Sequence, residues 1–186
     1  MKIAIIHQYY LQQDDAGISR FNQFAKYWTQ AGHRVTVICG TVHYMTGVEL
    51  KKYSGKYIVT EEENGVTVVR CHVSPEYNKH FWGRMKGYVS FMLSALIAAI
   101  RLPRHDIIIA TSPPLFVGIP GVIAAWKWRS PFVFEVRDLW PDSAIELGVL
   151  TNRPLIMLSY AVEKFLYRAA TKINALGPGY RDALIK

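Results

Sequence analysis

Short all-apolar runs alternate with segments of helical period along this chain, and that rhythm restricts the fold more than any other feature. Ile3 to Ile6 contains no polar residue, as a strand buried on both faces requires, and the loop His7 to Gly17 follows it. Ile18, Phe21, Phe24, Ala25, Trp28 and Ala31 then recur at helical spacing, with Gly32 where a left-handed C-terminal cap is expected. Arg34 to Cys39 supplies the next strand. Strand, helix and strand within about 40 residues form a βαβ unit, whose crossover generates parallel strands and a right-handed connection.

The alternation continues to the last residue. Tyr57 to Thr60 and Val66 to Val73 flank the turn residues Asn64-Gly65 and predict a hairpin or a small antiparallel addition, whereas Thr41 to Gly55 has no clear period and reads as a loop. A helix is predicted from Trp82 to Leu102, apolar on nearly every face and ended by Pro103, which cannot continue the hydrogen-bond ladder. Beyond it the pattern predicts strands at Ile107 to Ala110, Phe132 to Val136 and Lys172 to Leu176. Helices are predicted at Leu115 to Trp128, opened by Pro114, at Asn152 to Ala170, and from Tyr180 onward. The expected fold is α/β, a Rossmann-like, doubly wound and mainly parallel sheet with helices on both faces.

Length and composition support a single core without choosing a function. The chain has 186 residues, of which 51% are hydrophobic and 19% charged, too apolar for a disordered polypeptide. Lys and Arg outnumber Asp and Glu by 22 to 14, a net charge of +8 that attracts a polyanion, an anionic membrane or a phosphorylated ligand. Cys39 and Cys71 fall on predicted strands with no metal-ligand spacing and read as reduced packing residues of a cytoplasmic protein. The opening apolar run is too short for a secretory signal, and no apolar run of about 18 residues exists, so neither export nor a membrane span is expected.

In open parallel sheets ligands collect at the carboxyl ends of the strands, which makes the residues after each strand the informative ones. Four stretches qualify: His7 to Gly17, Ser112-Pro113-Pro114, Glu135 to Asp142, and Gly177-Pro178-Gly179. The first holds only Gly17, so it is not a dinucleotide-binding GxGxxG, and no Walker lysine motif is present. Gly17 either lets a backbone approach a diphosphate or sugar or serves turn geometry alone. Within the third stretch Arg137 can hold a phosphate, Asp138 can accept a proton or position a hydroxyl, and Trp140 can offer its face to a sugar ring. Capping explains Pro141 and a Ser143/Glu146 capping box, and Ser112 reads equally as a helix N-cap. His7 lines the cleft or closes off its strand; the other five histidines have no spacing that would join them in a metal site.

Several of these motifs together carry a resemblance. The opening strand, Asp15-Ala16-Gly17, Ala31-Gly32-His33-Arg34-Val35-Thr36-Val37, Ala110-Thr111-Ser112-Pro113-Pro114 and Glu135-Val136-Arg137-Asp138-Leu139-Trp140-Pro141-Asp142 resemble the N-terminal domain of glycosyltransferase family 4. Within that family the motifs resemble those of the N-acetyl-fucosamine transferases of bacterial surface-polysaccharide synthesis. The resemblance implies a GT-B fold of two Rossmann-like domains, retention of anomeric configuration without a metal or other cofactor, and an acceptor held by this domain. A nucleotide sugar would be the donor and an undecaprenyl-diphosphate-linked glycan the acceptor. By that resemblance Gly17 belongs to the glycine-rich first loop and Asp138 to the catalytic rim, while their places after the strands make Arg137 a further catalytic candidate and assign His7, Ser112, Glu135, Trp140 and Gly177 to the substrate cleft. Many relatives carry Gly-Gly where Ala16-Gly17 stands, a difference that bears on contact with the donor phosphates, and His-Asp where Arg137-Asp138 stands, so a histidine role in catalysis does not transfer whereas that of Asp138 does.

The family's donor site uses two glutamates eight positions apart in a C-terminal domain, and no glutamate pair here has that spacing. Residues 1–186 are therefore expected to form the acceptor-side domain alone, its partner being a donor-binding domain of the same polypeptide, and to transfer no sugar unaided. Phe81, Trp82, Arg84 and Lys86 open the long apolar helix with the aromatic and basic character that suits the cytoplasmic face of an anionic membrane, although the same helix reads as one packed inside the fold. A non-catalytic lipid-, glycan- or nucleic-acid-binding domain is the alternative, the last suggested by the net charge of +8. A nucleic-acid partner is not expected, because the basic residues are scattered and no nucleic-acid-binding motif accompanies them.

Overall fold

The computed structural model describes residues 1–12, 19–43, 46–76 and 81–185. Its strands are β1 (Lys2–Ile6), β2 (Arg34–Gly40), β3 (Ile58–Glu63), β4 (Val66–Cys71), β5 (Ile107–Ser112), β6 (Phe132–Val136) and β7 (Lys172–Ala175). They join in one sheet of order β3-β4-β2-β1-β5-β6-β7. Every neighbouring pair is parallel except β3 with β4. Strand order reverses at β1, with β2 on one side and β5 on the other, which is the topological switch point where such sheets bind ligands.

The connecting helices are α1 (Arg20–Gln30), α2 (Phe81–Arg101), α3 (Gly118–Trp128), α4 (Asp142–Glu146), α5 (Arg153–Ala169) and α6 (Pro178–Ile185). Side chains of successive strand residues point to opposite faces, so the sheet builds two cores. Ile3, Ile5, Val35, Val37 and Val68 meet Phe21 and Ala25 of α1. Ala4, Ile6, Ile38, Ile108 and Phe134 belong to the opposite core, with Phe91 of α2, Val122 of α3 and Leu166 of α5. Two glycines let α3 pack closely: a Cβ on Gly121 would lie 2.6 Å from the Phe132 ring of the sheet, and one on Gly118 2.6 Å from Leu166 of α5.

The expected elements are present, with local differences that have physical causes. The predicted hairpin forms, but β4 also pairs with β2 in parallel, so it is a full member of the sheet rather than an appendage. The segment read as a loop between Thr41 and Gly55 contains a 3-10 turn at Lys51–Tyr53 and a Val42 to Glu49 bridge. A 3-10 turn at Leu115–Val117 precedes α3, and its N-cap is Pro114. Ser112 is therefore no N-cap; it ends β5, and its hydroxyl donates to the Glu135 carbonyl at 3.4 Å. The Ser143/Glu146 capping box does not form either, because both residues lie inside α4, whose N-cap Pro141 makes no side-chain bond. By contrast, Asn152 caps α5, its Oδ1 accepting from the Leu155 N–H at 3.1 Å. Gly32 ends the first helical segment at φ +84°, as its position predicted.

Cys39 and Cys71 are free and buried, and burial pushes both thiols above their ordinary range. No helix among the described residues is long and apolar enough to cross a membrane.

Candidate functional site

Because β1, β5, β6 and β7 are parallel, His7, Ser112, Arg137 and Gly177 all emerge at one edge of the sheet. Among the described residues two clefts open there. The first, of about 220 Å³, is lined by His7 and Tyr9 after β1, Ser19 and Arg20 at the start of α1, Pro113 after β5 and Arg137 after β6. Asp138 lines a different cleft, of about 320 Å³, with Asp142, Ser143 and Glu146 near α4 and Gly179 and Tyr180 of α6. The adjacent residues Arg137 and Asp138 thus serve neighbouring spaces rather than the single groove expected for them.

His7 is buried at the floor of the first cleft, its ring 5.0 Å from that of Phe21. Burial lowers its pKa to about 3, with the nearby guanidiniums of Arg137 and Arg20 acting in the same direction, so the imidazole is neutral near pH 7. Its buried Nδ1 has no hydrogen-bond partner. A neutral ring with a free nitrogen between two guanidiniums offers donors and positive charge to an anion, while Tyr9, Phe21 and Pro113 supply apolar walls. Arg137 is exposed. The arrangement suits a phosphate or diphosphate group with a bulky apolar or sugar neighbour.

Glu135 occupies a different place from the one its sequence position suggested. It is 3% exposed and both carboxylate oxygens are engaged by the protein. Oε1 accepts from the Arg20 guanidinium and, at 3.2 Å, from the Thr111 hydroxyl, and Oε2 accepts from the Asn174 amide at 2.9 Å. Thr111, Glu135 and Asn174 are register partners across β5, β6 and β7, which places them side by side on one face. Glu135 therefore holds Arg20 against the cleft wall instead of presenting its carboxylate to a ligand.

The remaining candidates are dispersed. Trp140 is half-buried against Phe116, with ring centroids 6.3 Å apart, and lines neither cleft. Gly177 stands just before α6, where its carbonyl accepts from Arg181 N–H at 3.1 Å. Gly17 lies outside the described residues. Trp82 is exposed and touches Phe81 edge-to-face, Arg84 is exposed, and Lys86 pairs with Glu76 at 2.7 Å. Sequence reasoning missed Arg20, Thr111 and Asn174, whose importance depends on strand register and on where α1 begins. Among the described residues no group of three or more His, Cys, Asp or Glu side chains is arranged to hold a metal ion.

A buttress behind the first cleft was also missed. Arg70 of β4 is 1% exposed, donates to the Tyr10 carbonyl at 2.7 Å, and pairs with Glu61 and Glu63 of β3 at 3.2 and 3.0 Å. It thereby ties the start of the loop after β1 to the hairpin. Asn22 of α1 secures the next residue, accepting from Leu11 N–H and donating to its carbonyl.

Comparison with curated proteins found no match to the chain. A model of the glycosyl transferase 4-like domain matches residues 17–186, nearly the whole sequence. With a mainly parallel α/β sheet and two clefts at its carboxyl edge already in place, the chain belongs to the glycosyl transferase 4-like domain family.

Proposed function

We propose that this chain is the acceptor-side domain of a retaining, metal-independent glycosyltransferase. In this reading the whole protein moves a sugar, of the N-acetyl-fucosamine type, from a nucleotide sugar to an undecaprenyl-diphosphate-linked glycan at the cytoplasmic face of the membrane. The observation that carries the reading is the first cleft, where Arg20 and Arg137 flank a neutral, buried His7 at the switch point of the sheet. Arg137 supplies an open guanidinium for one phosphate, and the Arg20 guanidinium, though paired with Glu135, keeps further N–H donors at the cleft wall.

Asp138, one residue further along the rim, is assigned to orient and deprotonate the acceptor hydroxyl, and Gly17 is assigned by its sequence motif to the donor phosphates. Arg137 binds the anionic part of a substrate. Glu135, Thr111 and Asn174 position Arg20. Sugar transfer to a polyprenyl-diphosphate-linked acceptor, measured on the protein that joins this domain to a donor-binding domain, tests the assignment. Asp138→Asn is expected to lower kcat by about 100-fold or more, and Arg137→Ala to raise KM for the acceptor by about 10-fold. Wild-type kinetics in both variants would remove the proposal. Residues 1–186 alone are expected to give no turnover of a nucleotide sugar, because they contain no glutamate pair spaced as the donor site requires.

A further inference from the structure

α2, α3 and α5 pack side by side on one face of the sheet, and their outer surface is unusually apolar for a solvent-facing layer. On α2 the exposed residues Trp82, Val89, Leu93 and Ile100 are spaced by 7, 4 and 7 positions, which puts them in one stripe along the helix. Trp126 on α3 is 61% exposed and meets Phe165 of α5 edge-to-face, with ring centroids 5.9 Å apart. Met157 and Leu158 extend the surface along α5, at 73% and 53% exposure. The Lys127 ammonium donates to the Ile100 carbonyl, joining the α2 stripe to the Trp126 region.

Charge on these helices is one-sided. Arg84, Lys86 and Arg101 on α2, Lys127 on α3, and Arg153, Lys164 and Arg168 on α5 oppose a single acidic residue, Glu163. Seven basic side chains to one acidic compares with 22 to 14 in the whole chain, so the excess is concentrated on this layer. At its edge Asp142 of α4 accepts from the Tyr160 hydroxyl. Exposed indoles and aliphatic side chains among lysines and arginines have the chemistry of an interfacial membrane surface; the depletion of acids marks the partner as anionic.

We infer that the outer face of α2, α3 and α5 lies flat on an anionic lipid bilayer, with Trp82, Leu93, Trp126, Met157 and Phe165 entering the headgroup boundary and the exposed Arg153, Lys164 and Arg168 of α5 contacting lipid phosphates. This inference rests on the lipid-linked acceptor proposed above and goes beyond it by assigning a three-helix face rather than the start of α2 alone. Each of these helices follows a strand of the parallel set and runs back from the carboxyl edge, so the face extends along the strands. A domain seated on it leaves the carboxyl edge, with both clefts, uncovered. No helix of the described residues spans the membrane, which makes the contact interfacial.

Co-sedimentation of the 186-residue chain with vesicles tests the inference. Vesicles of phosphatidylcholine with about one third phosphatidylglycerol are expected to bind it, with indole emission shifting to the blue, and about 0.5 M salt is expected to weaken binding. Trp126→Ser combined with Phe165→Ser, both exposed positions, is expected to cut the partition coefficient at least 10-fold while circular dichroism and Tm stay near wild type. If that pair unfolds the protein, Lys164→Gln with Arg168→Gln tests the same face, at about 5-fold per charge. Absence of vesicle binding by the wild type overturns the inference. Binding that ignores the α3 and α5 substitutions and falls only with Trp82→Ser confines contact to the start of α2 and overturns the three-helix face. A self-association abolished by the same substitutions, without vesicle binding, assigns the face to a second copy instead. Any of these failures leaves the cleft kinetics untouched, so the transferase proposal stands or falls separately.

Discussion

At His7 the fold keeps an imidazole neutral, and proton linkage turns that into a dependence of stability on pH. Its folded pKa of about 3 lies below the ordinary 6.5, so on acidification the unfolded chain takes up a proton that the folded chain refuses. The stability linked to His7 is fully present above pH 6.5 and is lost as the pH falls toward 3, by up to about 1.4 kcal/mol per pH unit. His105, whose pKa burial also lowers, acts in the same direction. Urea unfolding between pH 7 and 5 is expected to show falling stability, and His7→Phe is expected to reduce that slope; an unchanged slope would mean that His7 is not held neutral. A second residue-scale prediction concerns Glu135. Glu135→Gln leaves Arg20 without its carboxylate, and denaturant unfolding is expected to show a loss of about 1–3 kcal/mol, whereas no loss would mean that the pair is replaced equally well by solvent. The sequence made His7, Glu135, Arg137 and Asp138 candidates because residues after strands collect at a rim. It did not reveal that Glu135 is committed to Arg20, Thr111 and Asn174, since side-chain partners across three strands follow from register, which a one-dimensional pattern leaves undetermined.

At the scale of elements, periodicity made the strands and long helices legible, because burial on both faces demands uninterrupted apolar runs such as Ile3 to Ile6 and Phe132 to Phe134. Helix starts were less legible. Ser112 and Ser143 are good cap types by composition, but one ends a strand and the other lies inside α4, because Pro114 and Pro141 set where those helices begin. Arg70 escaped notice for another reason: within Val66 to Val73 it is one of three polar residues, with Thr67 and His72, and only the pairing of β3 with β4 brings Glu61 and Glu63 to it. Replacement by Met would leave Glu63 and the Tyr10 carbonyl without this buried donor, while Glu61 keeps the Tyr53 hydroxyl and Lys52. Arg70→Met is expected to cost about 3–5 kcal/mol in chemical unfolding, and a loss below about 1 kcal/mol would show that the hairpin does not depend on this ion cluster.

At the scale of the whole molecule, one parallel sheet divides the work. Its carboxyl edge gathers the two clefts, one face is covered by α1, and the other carries the basic, apolar layer of α2, α3 and α5. The central claim is that the cleft formed by His7, Arg20 and Arg137 recognises a diphosphate joined to an apolar group. Calorimetric titration of the 186-residue chain with farnesyl diphosphate, with farnesol as the uncharged control, tests it most directly. The account predicts saturable binding of the diphosphate, little binding of the alcohol, and affinity at least about 10-fold weaker in Arg137→Ala. Equal binding of diphosphate and alcohol, or an Arg137→Ala variant that binds as tightly as wild type, would contradict it.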